Sequence, residues 1–304
     1  MMKFFIPILA VASLLIGDMS VAQAEGDTQR GVDTSAVIDM AEAGNVCAQY
    51  VAAVLYSEDA SEFADSEEEL WLIKAADNGM ARAQYRLGLL YLAVANTEAD
   101  GEKARKYLHQ AAEGREVQAQ RFLAGYYDAP HIARHEEATY WWRKAAEQGL
   151  IIAQTELGLR YETGTHVTQS YEGAAKWYLE AASQGDVTAM GQLGQMYLTG
   201  TGVDKNESKG RELIAASQSE ENYRKSIILS LGSTEADVDF LARYAAMKAD
   251  DTEESQQSVF NEVRAEAEKG ASMAKFMLGR MYISGFGTEQ DIGKGVSLIC
   301  ESGV

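Results

Sequence analysis

The chain contains few arrangements of residues able to do chemistry. His131-x-x-x-His135 spaces two imidazoles by one helical turn, followed by Glu136 and Glu137. Such a pair can ligate zinc, but a zinc protease needs Glu directly after the first His, and Ile132 stands there. Pro130 also places His131 near a helix start, where exposed polar residues are expected. Ser272-Met-Ala-Lys275 matches the S-x-x-K of β-lactam-recognising serine enzymes, but neither of its partner motifs, S-D-N and K-T-G, occurs in the chain. His109 and His166 stand alone, with no Ser or Cys placed to form a nucleophile–base pair. Gly200-Thr-Gly202 follows a helical pattern rather than a strand, so it reads as a turn and not as a dinucleotide loop. Asn206-Glu-Ser208 is a glycosylation sequon, relevant only in a host that glycosylates. These residues predict no catalytic, cofactor-binding or metal-ligating constellation.

The elements that would carry them are helical. Only two prolines, Pro7 and Pro130, interrupt 304 residues of ordinary globular composition, 46% hydrophobic and 24% charged. Lys3, the apolar run Phe4–Ile16 and the A-x-A site Ala22-Gln23-Ala24 predict a cleaved signal peptide over residues 1–24, with the mature chain starting at Glu25. An uncleaved anchor is disfavoured because the apolar run is short for a bilayer span. The expected location is therefore periplasmic or secreted. A formal net charge of -19 repels phosphate backbones and anionic lipid, so neither nucleic acid nor a membrane surface is an expected partner. Basic protein partners remain compatible. Cys47 and Cys300 lie near opposite ends of the sequence. They could pair in an oxidising compartment, but in an extended chain their Cα atoms would be out of bonding range, so two buried thiols are expected.

One sentence is written several times along the chain. An alanine opens a helix at Ala48, Ala83, Ala119, Ala153 and Ala189, and a tyrosine follows eight residues later at Tyr56, Tyr91, Tyr127, Tyr161 and Tyr197. Leu-Gly stands between them at Leu87-Gly88, Leu157-Gly158 and Leu193-Gly194, and a late copy has Ala274, Leu278, Gly279 and Tyr282. Offsets 0, 4, 5 and 8 share one helical face, and the Gly there lets a second helix approach. That second helix carries Trp71, Tyr107, Trp141 or Trp177 four residues before an Ala-Ala pair. Three pairs are followed by a Gly stop, at Gly79, Gly149 and Gly185. A hairpin this small cannot bury its apolar face alone, so the copies must stack.

The in-phase signal Ala…Leu-Gly…Tyr-x-x-Gly-x-Gly-Val…Trp-x-x-Lys-Ala-Ala-x-x-Gly resembles the Sel-1-like repeat (SLR) family, relatives of the tetratricopeptide repeats. The resemblance implies an all-α fold, a right-handed superhelical α/α solenoid of stacked helix-turn-helix repeats. The chain then divides into a signal peptide (1–24), a linker with capping helix (25–45), about five repeats (46–219), diverged or inserted helices (220–270) and a final repeat (271–304).

On the first helix of each copy, offsets 2, 3 and 6 point away from the packing stripe. In stacked helical repeats this row tends to line a concave groove. Here it offers Tyr85, Arg86, Arg121, Phe122, Glu156 and Gln192, including aromatic and Arg side chains of the kind that dominate binding energy. The apolar members are expected rather to pack against the preceding repeat, which leaves Arg86, Arg121, Glu156 and Gln192 as the better candidates for an exposed groove. By resemblance the expected function is an exported, non-enzymatic scaffold or regulator that binds a partner protein, without cofactor. Two alternatives are a metal-dependent module and a β-lactam-binding hydrolase of the cysteine-rich type. The latter relatives carry a cysteine pair in each repeat, and this sequence does not.

Overall fold

The computed structural model describes residues 35–57, 64–93, 97–219, 222 and 252–302. The expected signal peptide, most of the linker and the expected helical stretches 223–231 and 237–248 lie outside them. The described residues form fourteen α-helices and no strand. The first three are α1 (Ser35–Glu42), α2 (Val46–Ser57) and α3 (Ala64–Asp77). Eight follow as pairs: α4 (Ala81–Ala93) with α5 (Glu98–Glu113), α6 (Val117–Asp128) with α7 (His135–Glu147), α8 (Ile151–Thr163) with α9 (Tyr171–Ser183), and α10 (Val187–Thr199) with α11 (Glu207–Ser217). The last three are α12 (Glu253–Glu268), α13 (Ser272–Ser284) and α14 (Ile292–Ser302). The fold is an all-α solenoid of stacked helical pairs.

The chain forms two compact units, one of residues 1–71 with 239–304 and one of residues 72–238. In the second unit each pair packs on the next. Ser170 and Asn206 start α9 and α11 by accepting backbone N–H bonds from Gly173 and Lys209, which satisfies donors that the helix leaves unpaired. Within a pair, the repeat glycine sets the approach. A Cβ added at Gly158 would lie 2.6 Å from the ring of Tyr178, a residue only 1% exposed. The stripe Ala153, Leu157 and Gly158 is buried as its spacing requires.

A second device fixes the stacking. Gln84, Gln120 and Gln154, each directly after the repeat alanine, are buried. Their side-chain amides donate to the carbonyls of Ala76, Ala112 and Ala146 at 3.0, 2.9 and 3.3 Å, in the last turn of the preceding helix. Gln120 and Gln154 then accept, each at 2.7 Å, from Gln148 and Gln184, which close the second helices of their own pairs. The amides thus form a relay between neighbouring pairs. Gln154→Met keeps the volume and deletes two of these bonds. It is expected to lower stability by about 1–2 kcal/mol, seen as a lower urea midpoint; an unchanged midpoint would show the relay to be energetically idle.

In the first unit α12 packs on α13, α13 on α14, and α14 on both α1 and α2. Phe260 of α12 meets the edge of Tyr282 of α13, ring centroids 5.4 Å apart, in a core that includes Val259, Val263, Leu278 and Met281. Cys47 and Cys300 are joined in a disulfide with Cα atoms 5.8 Å apart. The expectation of two buried thiols is thereby corrected. It rested on distant chain ends, whereas the first helical pair and the last repeat share one unit.

Candidate protein-binding face

The row predicted to face a partner changes character along the chain. In the first copy Tyr50, Val51 and Val54 are buried, at 4%, 0% and 7% exposure. In the second unit Tyr85, Arg86, Arg121, Phe122, Glu156 and Gln192 are all half-buried. Leu159 is 43% exposed, and Gly125 and Gln195 at the same offset are exposed as well. Tyr85 and Phe122 lean on the core around Leu123 and Tyr127. Burial pushes the Tyr85 phenol up, and the charge of Arg121, from the next copy, opposes that shift. In the last copy Met277 is buried while Phe276 and Arg280 are half-buried, with the Arg280 guanidinium 6.0 Å from the Phe276 ring centre.

Two members of the row are held from behind. Glu156 accepts a hydrogen bond from Arg160 Nε at 3.0 Å. Gln192 hydrogen-bonds the Tyr178 hydroxyl, which itself donates to Glu162 at 2.7 Å. Burial first, and Glu162 second, push the Tyr178 phenol far up, so it stays a donor.

Arg160 is the centre of a network that spacing did not predict. Its side chain is 6% exposed and binds three groups: Glu156 on its own helix, Thr139 Oγ1 on α7 at 3.0 Å, and the carboxylate of Asp128 at the end of α6. Asp128 also accepts from Trp142 Nε1 at 2.7 Å and contacts His135 Nδ1 at 3.3 Å. Burial would raise the Asp128 pKa, but hydrogen bonds from Trp142 and Arg160, with the Arg160 charge, outweigh it and hold the carboxyl below its usual range. A signal for this network exists in the alignment of copies. The column of Arg160 reads Leu55, Leu90, Tyr126, Met196 and Met281 elsewhere, so a charge intrudes into an apolar position. Asp128 and Glu162 share another column, and their partners Trp142 and Tyr178 share a third, where other copies have Leu72 and Leu108. An acid and an aromatic with a polar tip therefore arrive together.

The histidines do not assemble as spacing suggested. His131 lies in the turn before α7 and His135 is the first residue of that helix, so they do not face along one helix. His135 instead stacks on His166, centroids 3.8 Å apart and 11° between planes. His166 holds φ at +58°, a conformation that favours glycine, at the position Gly202 occupies one copy later. At Gly202 a side chain would strike the Tyr171 carbonyl oxygen at 2.3 Å, whereas at His166 the ring lies over the equivalent helix start. His109 bonds the Tyr127 hydroxyl at 2.6 Å through Nε2, and burial lowers its pKa. Ser272 and Lys275 occupy the first turn of α13, where Lys275 N donates to Ala271 O at 3.0 Å as an ordinary helical bond. Among the described residues no group of three or more His, Cys, Asp or Glu is placed to hold a metal ion, and no helix is long and apolar enough to cross a membrane.

Comparison with known proteins agrees with this architecture. The chain is similar in fold to a protective antigen of uropathogenic Escherichia coli strains that displays an SLR fold, with 21% identity, 98% of this chain and 79% of the other covered, and a TM-score of 0.53. A Sel1 repeat protein from Oxalobacter formigenes aligns at 24% identity over 96% of this chain and 82% of its own, with a TM-score of 0.48. No curated protein matches the sequence. The family profile described as Sel1 repeat matches residues 70–80, 81–115, 117–150, 151–186, 187–215 and 272–299, and so starts after the helices around Ala48. Six in-phase segments covering more than half of its length place the chain in the Sel1 repeat family.

Proposed function

We propose that this protein is an exported scaffold whose first-helix row in the second unit binds a partner protein along a concave face. Sel1 repeat proteins are in general protein–protein interaction scaffolds. One observation carries the assignment of the row. The positions that are buried in the first copy, Tyr50, Val51 and Val54, are half-buried or exposed in the copies that follow, where Arg86, Arg121, Glu156 and Gln192 appear beside Tyr85, Phe122 and Leu159. A stacking position conserves apolar character, while a recognition position diversifies. Tyr85 and Phe122 supply rigid aromatic area supported by the core, and Glu156 is oriented by Arg160. Side chains already held in place lose little entropy on binding. Recognition is passive, without a covalent step. Export is supported by the N-terminal leader pattern and by the Cys47–Cys300 disulfide, a bond that persists in oxidising compartments.

Crosslinking in the native envelope, followed by identification of what is captured, supplies the partner. Arg86→Glu combined with Arg121→Glu is expected to abolish that capture while leaving helicity unchanged, because it reverses both positive charges of the row in the second unit. Capture that survives the double change would place the binding face elsewhere.

A further inference from the structure

We propose that a cleft beside the end of α5 is a second binding site, which takes a small zwitterion with an apolar body, namely a short peptide with free termini. One backbone angle sets this place apart. Four residues before the repeat alanine, Gly44, Gly79, Gly149, Gly185 and Gly270 hold φ between +84° and +101°. The copy that opens at Ala119 has Arg115 there instead, at φ +68°. That region is strained for any residue with a Cβ. Packing does not explain the exception. A Cβ added at any of the five glycines would meet nothing within 4 Å, so no contact asks for a side chain here. This copy's own glycine, Gly114, stands one place early, where a Cβ would lie 2.8 Å from that of Ala81. Packing thus accounts for Gly114 and not for Arg115. Backbone strain that the fold does not require points to function.

Arg115 lines a cleft of about 430 Å³ together with Glu113, at the end of α5, and Tyr140, Trp141, Lys144 and Glu147 of α7. None of these residues belongs to the first-helix row. Tyr140 is 52% exposed, more than any other large apolar side chain among the described residues, and its ring packs edge-on to Trp141 with centroids 4.9 Å apart. Lys144 and Glu147, 3.9 Å apart, offset each other's charge. The other two charges stand alone. Among the described residues the Arg115 guanidinium and the Glu113 carboxylate have no hydrogen-bond or ion-pair partner, and neither have the Tyr140 hydroxyl and the Trp141 indole N–H. Trp141 is 6% exposed, and an indole N–H so enclosed gains from an acceptor brought by a ligand. These groups select the ligand. A guanidinium takes a carboxylate in a two-pronged bond, a lone carboxylate takes an ammonium, and the two rings take an apolar side chain. A simple anion suits the cleft less well, because Glu113 shares the lining and a chain of net charge -19 repels it. A zwitterion carries no net charge and answers both Arg115 and Glu113. The volume is at the lower end of ligand sites, which run from about 300 to 1,000 Å³.

The test titrates the mature full-length chain with the dipeptide glycylphenylalanine by isothermal calorimetry, and then with the same dipeptide acetylated at its N terminus or amidated at its C terminus. The free dipeptide is expected to bind saturably, and blocking either end should weaken binding by about 10- to 100-fold, the worth of one charge-assisted hydrogen bond. Arg115→Gly restores the residue of the other copies. It should weaken binding by the same factor while leaving the urea midpoint unchanged or higher, since it relieves the strained backbone. Glu113→Gln should match the effect of acetylation, and Tyr140→Lys, which copies Lys106 and Lys176 of neighbouring repeats, should also weaken binding. Absence of saturable binding at millimolar dipeptide overturns the proposal. So does equal affinity for the end-blocked dipeptides, or undiminished binding by Arg115→Gly. The blocked dipeptides probe the same two charges in the unaltered chain, so the outcome does not hang on any variant folding.

Discussion

Replacing Cys47 and Cys300 by serine together is expected to cost about 3–5 kcal/mol of stability, near the top of the range for a single disulfide. The bridge closes a loop 253 residues apart in sequence, and in the chain-entropy account the unfolded-state restriction grows with loop length. A repeat array is otherwise held by intrinsic repeat stabilities and nearest-neighbour contacts, so its ends unfold independently of its middle. Joining α2 to α14 removes that freedom. Urea unfolding followed by circular dichroism should therefore show two changes in the double variant: a lower midpoint and a broader transition. Treating the wild-type chain with a dithiol should reproduce both. Identical curves for oxidised and reduced protein would mean that packing of α14 on α1 and α2 already holds the ends, and that the covalent bond adds nothing.

Arg160→Met is expected to destabilise the second unit by about 3–5 kcal/mol, the cost of removing one partner from a buried ionic network. Methionine fills the space and matches the residue found in this column at Met196 and Met281. What it cannot do is satisfy Asp128, Glu156 and Thr139, which lose a guanidinium donor together. If apolar packing alone governed this position, the substitution would be neutral or stabilising, so the sign of the change separates the two accounts. The pH dependence gives an independent reading. Asp128 is held below its ordinary range in the folded chain, so its contribution is present above the unfolded carboxyl pKa of about 4 and is lost as pH falls through the lower folded value. The wild-type protein should lose this stability in the acid limb, and Arg160→Met should show a flatter one. An equally steep limb in the variant would assign the acid sensitivity to other carboxylates.

Much of the architecture was legible in the residues because its causes are local. The alanine, Leu-Gly and tyrosine positions recur every 34 to 36 residues and mark one helical face, and Ala153, Leu157 and Gly158 are buried as that face requires. Ser170 and Asn206 cap the second helices through bonds that are equally local, although the residues were not read as caps from the sequence. The candidate row was legible as positions but not as surroundings. Offset counting treats Val51 and Arg86 alike, although one is buried under other helices and the other is half-exposed. The Gln relay was missed although Gln49, Gln84, Gln120 and Gln154 recur at the repeat period, because its meaning comes from a carbonyl eight residues back and from an amide at the end of the paired helix. The Arg160 network was visible only as a disagreement between copies.

The division between the two sources of information is physical. Helix pairing, the Gly158 approach to Tyr178 and membership of the Sel1 repeat family follow from contacts inside one repeat or between neighbours, and such contacts write themselves into the chain at a fixed period. The joining of Cys47 to Cys300, the burial of Tyr50, Val51 and Val54, and the stacking of His166 on His135 depend on where distant or aperiodic segments arrive in space. No local preference encodes that arrival. A repeat's period reports how one hairpin meets the next, and where the array's ends meet becomes apparent only when the whole chain has been packed.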